Sequence, residues 1–392
     1  MLNTCRKTFL CFLGSCLIFF GSVYQVFAIE NPLGVSNNKF GVHILFPEEL
    51  GEASDLVNSS SGDWGYVTIP IQSRDKDLLK WQKFMDTAKE LHIVPIIRLA
   101  TENSYFDNKV WRKPNHADVL DFANFLNSLD WPTKNRYVII FNEPNRFDEW
   151  EGIVDPKEYS LILEYAVTVF KSRNQDFFII SAGLDNAADG NPKYFMNQYD
   201  FMIEMNKSVH GIFNQVDGLA SHSYPNPAFS QPPYVNTSKS IASFKYEREL
   251  VRKISSKNLP IFITETGWSR ENLEDEKIAS YFEEAFESVW NDEDIAAVTP
   301  FLLRAGMGDF VKFSLIDKDG SKSLRYKALQ NIPKEKGNPI LPEKKRSPNS
   351  TREVIPTRSF TNKKDEVLGI QSTRQMSEIT ATKTILKWLI NP

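Results

Sequence analysis

Eight short apolar runs, separated by longer stretches that mostly carry helical spacing, constrain this chain more than any other feature. The runs fall at residues 40–44, 66–71, 94–99, 137–141, 177–181, 216–221, 260–264 and 296–302. Each has the length of a strand, and most are rich in β-branched or aromatic residues. Between them the period changes. Residues 77–92 put Leu78, Leu79, Trp81, Phe84, Met85, Ala88 and Leu91 on one helical face. Helices are likewise expected over 117–129, 159–171, 192–209, 240–256 and 276–290. Such alternation over roughly 300 residues predicts an α/β fold of the (β/α)8 TIM-barrel kind. An open, doubly wound sheet is the competing arrangement.

The flanks differ from this middle. Arg6 and Lys7 precede an apolar run over 9–27, broken by Gly14, Ser15, Gly21, Ser22 and Gln25. Val26 and Ala28 supply small residues at cleavage spacing, so 1–28 reads as a signal peptide. An uncleaved anchor is the alternative, because the run is nearly long enough to span a bilayer. Either reading places the rest outside the cytoplasm, secreted or at the cell surface. Cys5, Cys11 and Cys16 are the three cysteines, and all lie in this segment. The remainder therefore has no disulfide framework, thiol nucleophile or cysteine-ligated metal. From 333 to 392 the chain is rich in Lys, Arg, Pro, Ser and Thr and reads as a disordered basic tail. A short amphipathic helix is expected at 379–390, around Ile385, Leu386, Trp388 and Leu389. The expected organisation is thus a leader (1–28), a catalytic barrel (29–332) and a tail (333–392). Of the net charge of −4, the tail from Lys334 carries +6 and the leader +2, leaving −12 for the middle. An acidic domain of this kind gives no argument for nucleic acid, and membrane or cell-surface contact would come from the leader or the tail.

Two of the runs end in a glutamate. The fourth stops at Asn142-Glu143-Pro144-Asn145, where the proline cannot donate to a sheet. The seventh stops at Thr264-Glu265-Thr266-Gly267-Trp268. A barrel keeps its chemistry at the carboxyl ends of its strands, and the ends of strands four and seven face each other across the mouth. Two carboxyl groups there flank one bond of a bound substrate, as glycoside hydrolysis requires: one donates a proton to the leaving oxygen and the other attacks the anomeric carbon. No Gly-rich phosphate loop or serine elbow is present, and His92, His116, His210 and His222 are not at ligand spacing. Neither a metal nor a cofactor is expected.

Phe141-Asn142-Glu143-Pro144-Asn145 and Ile263-Thr264-Glu265-Thr266-Gly267-Trp268 resemble the two catalytic strand ends of the clan GH-A glycoside hydrolases, over residues 40–332. The resemblance implies a retaining mechanism with Glu143 as acid/base, Glu265 as nucleophile and Asn142 on the sugar 2-hydroxyl. It further implies that Arg98, near the end of the third run, pairs with Glu265. Ser221-His222-Ser223-Tyr224-Pro225 resembles the clan's His-x-Tyr segment, with Tyr224 directed to Glu265 and His222 to substrate or the acid/base. His43 would line the floor or pack beneath it. Trp268 is the aromatic expected to stack on a sugar, with Trp64, Trp111, Trp150 and Tyr105 as further candidates.

One departure concerns strand eight, where many clan members place a tryptophan. Here the sequence reads Pro300-Phe301-Leu302-Leu303-Arg304-Ala305-Gly306. Either Phe301 substitutes, or Arg304 enters the site, which would suit an acidic sugar. Leu315 to Gly320, followed by Tyr326-Lys327-Ala328-Leu329, resembles the run and last helix that close many clan barrels. The expected activity is an exported retaining glycosidase acting on a β-linked polysaccharide or glycoside, with carbohydrate as its partner. A transglycosylase would use the same residues. A carbohydrate-binding barrel that has lost catalysis is the alternative from another class.

Overall fold

The computed structural model describes residues 29–102, 110–306 and 308–343. The expected leader (1–28), Tyr105 and the tail from 344 on, with its 379–390 helix, lie outside the described residues. In chain order the elements are β1 (Gly41–His43), α1 (Leu50–Val57), β2 (Gly65–Gln72), α2 (Leu78–Glu90), β3 (Ile93–Ala100) and α3 (His116–Ser128). There follow β4 (Arg136–Ile139), α4 (Pro156–Arg173), β5 (Phe177–Ile180), α5 (Gln198–Ser208), α6 (Ile212–Gln215) and β6 (Leu219–His222). The chain continues with α7 (Ser243–Ile254), β7 (Ile261–Glu265), α8 (Asp275–Glu287), β8 (Ile295–Val298) and α9 (Leu324–Asn331).

All paired strands are parallel. β1 to β5 form one hydrogen-bonded set and β6 to β8 another. Bridges from Ile180 to Gly218 and from Phe40 to Val298 join the two sets at both seams. The sheet is therefore a closed (β/α)8 barrel, and the open-sheet alternative falls.

Period-two alternation decides what faces the barrel axis. Tyr66, Val94, Ile96, Tyr137, Ile139, Phe178, Ile180, Ala220 and Phe262 fill the interior, while Val67, Ile97, Val138, Ile179 and Ile263 pack outward against the helices. The lower interior is an aromatic plug: the Tyr137 ring lies 4.9 Å from Phe178 and 5.6 Å from Phe262. Arg98 shares the inward parity of Val94 and Ile96, one layer higher. This is how a charged side chain at the end of a buried strand reaches the mouth.

Several boundaries differ from expectation. Helix α1 was not among the helices expected; its apolar positions Leu50, Ala53, Leu56 and Val57 span only two turns. The helix expected over 192–209 starts at Gln198, where Asn197 caps it by accepting from the Tyr199 N–H. The sixth strand starts at Leu219, because the Asp217 carboxylate accepts from the Ile179 N–H and holds 216–218 as a loop. The fourth ends at Ile139, before the proline.

The boundary at 332 also moves. Lys334 is buried and donates to the carbonyls of Leu329 and Ile332, and Gly337 N donates to Asp63 O. Lys134 N donates to Ile340 O. Residues 334–340 are thus hydrogen-bonded to the barrel's loops instead of starting a free tail. Among the described residues no helix is long and apolar enough to cross a membrane.

Candidate active site

β4 ends at Ile139, and the chain then leaves extended geometry. Phe141 and Glu143 both take positive φ values, 66° and 32°. Non-glycine residues held there are strained, and such strain gathers at functional sites. Two contacts hold the turn: Glu143 N donates to Gly183 O at 3.1 Å, and Arg146 N donates back to Glu143 O at 3.0 Å. Glu265 arrives differently, as the last residue of β7, and its register partner is His222 at the end of β6. Gly267 then turns the chain at φ 148°.

The two carboxyl groups meet over the barrel axis with an imidazole between them. Oxygens of Glu143 and Glu265 and a nitrogen of His222 lie within 4.8 Å of one another. His222 Nδ1 is 2.7 Å from Glu143 Oε1 and 3.9 Å from Glu265 Oε2. Glu265 has two donors: Arg98 Nη1 at 3.0 Å on Oε1 and the Tyr224 hydroxyl at 3.0 Å on Oε2. Arg98 also donates to Asn142 Oδ1. The structure therefore brings together Glu143, Glu265, Asn142, Arg98, His222 and Tyr224, residues drawn from β3, β6, β7 and the segments that follow β4 and β6. The three groups are close enough to bracket a cation, but both Glu265 oxygens already face Arg98 and Tyr224.

Burial sets the charge states around this pair. Burial lowers the His222 imidazole, but the charge of Glu265 and the hydrogen bond to Glu143 outweigh it and hold the ring above its usual value. His43 is the opposite case. Burial, then the charges of Arg98 and His222, push it well below the usual range and keep it neutral. It lies under the site, its Nε2 3.7 Å from Glu265 Oε1 and its ring edge-on to Phe301. Burial and the two carboxylates raise the Tyr224 phenol well above its ordinary value, so the hydroxyl keeps its proton and donates.

The pair opens into a cavity of about 420 Å³. Its walls include Arg98, Asn142, Trp111, Trp150, Tyr224, Phe229, Phe301, Phe310 and Phe313. Phe301 lines it, at the end of the eighth run. Arg304 does not enter. It turns outward into a two-point ion pair with Glu52 of α1, at 2.7 and 2.8 Å, which removes the argument for an acidic sugar.

The expected role of Trp268 is also overturned. Past the Gly267 turn its indole goes into the core, 1% exposed, against Phe282 and Trp290, with Nε1 donating to Gln231 O. Trp64 is at the opposite end of the barrel, stacked on His92. Trp150 lies in the wall but is buried and donates to Glu158, leaving half-buried Trp111 as the tryptophan with accessible surface in the cavity.

Sequence reasoning missed three side chains and one glycine. Arg146 lies 3.7 Å from Glu143 Oε2 and pairs with Asp148 and Asp185. Its i,i+3 spacing from Glu143 was the available signal. Glu149 and Asp185 also line the cavity. Gly183 sits so close to His222 that a Cβ there would meet the ring at 2.2 Å.

No protein-family model and no curated protein matches the chain. Solved structures do. A family 39 glycoside hydrolase from Bacteroides cellulosilyticus WH2 is 16% identical with TM-score 0.53, over 77% of this chain and 64% of that one. A glucosidase from Croceicoccus marinus is 13% identical with TM-score 0.57, over 77% and 68%. A GH5_18 protein from Streptomyces cattleya, solved with Manβ1-4GlcNAc, is 13% identical with TM-score 0.52, over 76% and 80%. The chain spans a little under two thirds of the first of these relatives. At such identities the likeness is one of fold alone: the chain shares the barrel of these solved glycoside hydrolases.

Proposed function

We propose that the protein is a retaining glycoside hydrolase that cleaves β-linked glycosides by double displacement. The observation that carries this reading is the separation of the two carboxyl groups, with oxygens within 4.8 Å. Retaining glycosidases keep their carboxyl groups about 5–5.5 Å apart, close enough for direct attack, whereas inverting enzymes leave about 6.5–9.5 Å for a water. In the first step a Glu265 oxygen bonds to the anomeric carbon while Glu143 gives its proton to the departing glycosidic oxygen. In the second, Glu143 takes a proton from water, the water oxygen bonds to the anomeric carbon, and Glu265 leaves as carboxylate. Arg98 and Tyr224 fix the orientation of the nucleophile, and Asn142, oriented by Arg98, is the group for the 2-hydroxyl. The same residues serve transglycosylation when a sugar replaces the water. We further infer export directed by residues 1–28. Mass spectrometry of the secreted chain should find an N-terminus at Ile29, and an unprocessed cytoplasmic product would refute it.

Azide tests the assignment. Glu265→Gly should lose turnover on aryl β-glycosides and regain it with azide, giving a glycosyl azide of inverted configuration. Glu143→Ala should give the retained one. If both variants keep near-parental activity, the site is wrong.

A further inference from the structure

Glu149 lies on the loop between β4 and α4 and lines the same cavity as Glu143. The other carboxylates of that wall have protein partners. Asp75 accepts from Lys80 at 2.6 Å, Asp185 from Arg146 at 3.0 Å, Glu143 meets His222, and Glu265 meets Arg98 and Tyr224. No hydrogen-bond donor among the described residues reaches the Glu149 carboxyl, although it is half-buried. Its backbone is fixed: Glu149 N donates to Arg146 O, and Trp150 beside it is anchored to Glu158. The nearby guanidinium of Arg146 is committed to Asp148 and Asp185.

A fixed, half-buried carboxyl that no described residue supplies with a donor gains when a ligand supplies one. Burial, and then the charge of Glu143, push Glu149 up to about 8. Near neutral pH the group thus passes between a form that only accepts hydrogen bonds and one that both donates and accepts. Sugar hydroxyls match both forms, and the two oxygens of a carboxyl can span neighbouring hydroxyls of one ring. A uronate would instead bring a like charge toward Glu143, and toward Glu149 as pH rises through about 8. Arg304, which would have met that charge, is turned away to Glu52.

We propose that Glu149 is a substrate-contacting residue that holds neighbouring hydroxyls of a neutral sugar ring in the cavity and disfavours the corresponding uronic acid. This rests on the glycosidase reading and narrows its substrate class.

The test uses the full chain with Glu149→Gln and Glu149→Ala, assayed on paired aryl β-glycosides such as glucoside and glucuronide. Above about pH 8, where Glu149 is ionised, a lost hydrogen bond to it is worth about ten- to a hundredfold. KM on the neutral substrate should therefore rise by about that factor in Glu149→Ala, with kcat changed less. At that pH the preference for the neutral over the acidic sugar should shrink in both variants. If KM stays within twofold and the preference is unchanged, the proposal is refuted. Glu149→Gln keeps the shape of the side chain, so it decides the matter if the alanine variant fails to fold.

Calorimetric titration of neutral oligosaccharide into Glu143→Gln protein, with and without Glu149→Ala, gives a readout free of turnover. If Glu265→Gly abolishes activity while Glu149→Ala leaves both KM and affinity intact, this proposal falls and the glycosidase reading stands. If the catalytic exchanges change nothing but Glu149→Ala loses saccharide affinity, the reverse holds. If the parent neither binds nor cleaves any saccharide, both fall.

Discussion

Replacing Gly183 by alanine should cripple the site without removing any functional side chain. The new Cβ would lie 2.2 Å from His222 Cδ2 and 2.5 Å from Nε2, where ordinary contact begins at 3.4 Å. A retreat of about 1.2 Å is needed, and packed interiors resist such shifts. If the ring moves, its 2.7 Å hydrogen bond to Glu143 is disturbed. If the backbone moves instead, Gly183 O carries the Glu143 N–H with it, because the two are bonded at 3.1 Å. Both routes disturb the Glu143–His222 pair. A charge-assisted hydrogen bond of this type is worth about 1.5–3 kcal/mol, so kcat/KM should fall about ten- to a hundredfold. Overpacking should cost a further ~1–3 kcal/mol of stability.

The assay is turnover of an aryl glycoside cleaved by the parent, paired with melting temperature against pH. His222 is raised in the folded state, so its stabilising contribution is full below its unfolded value of 6.5 and is lost as pH rises through the folded value. That part of the pH dependence should shrink in Gly183→Ala. In a His222→Ala background, adding Gly183→Ala should cost almost nothing more, since the clash is gone. Parental kcat/KM in Gly183→Ala, or full additivity in the double variant, would refute the reasoning.

Further outcomes follow from other contacts. Tyr224→Phe keeps the packed ring but removes the donor on Glu265 Oε2, so kcat should fall about tenfold or more while the melting temperature moves little, as kinetics and calorimetry would show. Glu49, buried in the β1–α1 connection, accepts from the Leu45 and Phe46 N–H groups, and burial pushes it up to about 8. Its contribution is full below its ordinary 4.5 and is lost as pH rises to about 8, so Glu49→Gln should flatten the fall in melting temperature across that interval. Arg304→Ala removes only a half-exposed pair with Glu52, and both activity and the neutral-sugar preference should be unchanged. A gain or loss of activity toward uronides would put Arg304 back in the site.

What the sequence by itself determined is local. Strand-length apolar runs and helical faces are written in spacings of two and of three to four residues, so the eightfold alternation was legible before any contact was known, while closure of the sheet was decided by the bridges at its two seams. Both glutamates were legible too, because Pro144 and Gly267 mark where their strands must stop. The His-x-Tyr segment put His222 and Tyr224 beside the second of them.

Only the tertiary structure decided which side chains then turn toward each other. Trp268 follows Glu265 closely in sequence yet lies in the core, since the direction taken after a glycine at φ 148° depends on what packs around it. Arg304 could point into the barrel or to Glu52, and the unexpected helix α1 supplied the partner that drew it away. Gly183, Glu149 and Asp185 carry no pattern of their own. Their meaning comes from the loops after β4 and β5 meeting over the mouth, and the paths of such loops are set by contacts distant in sequence.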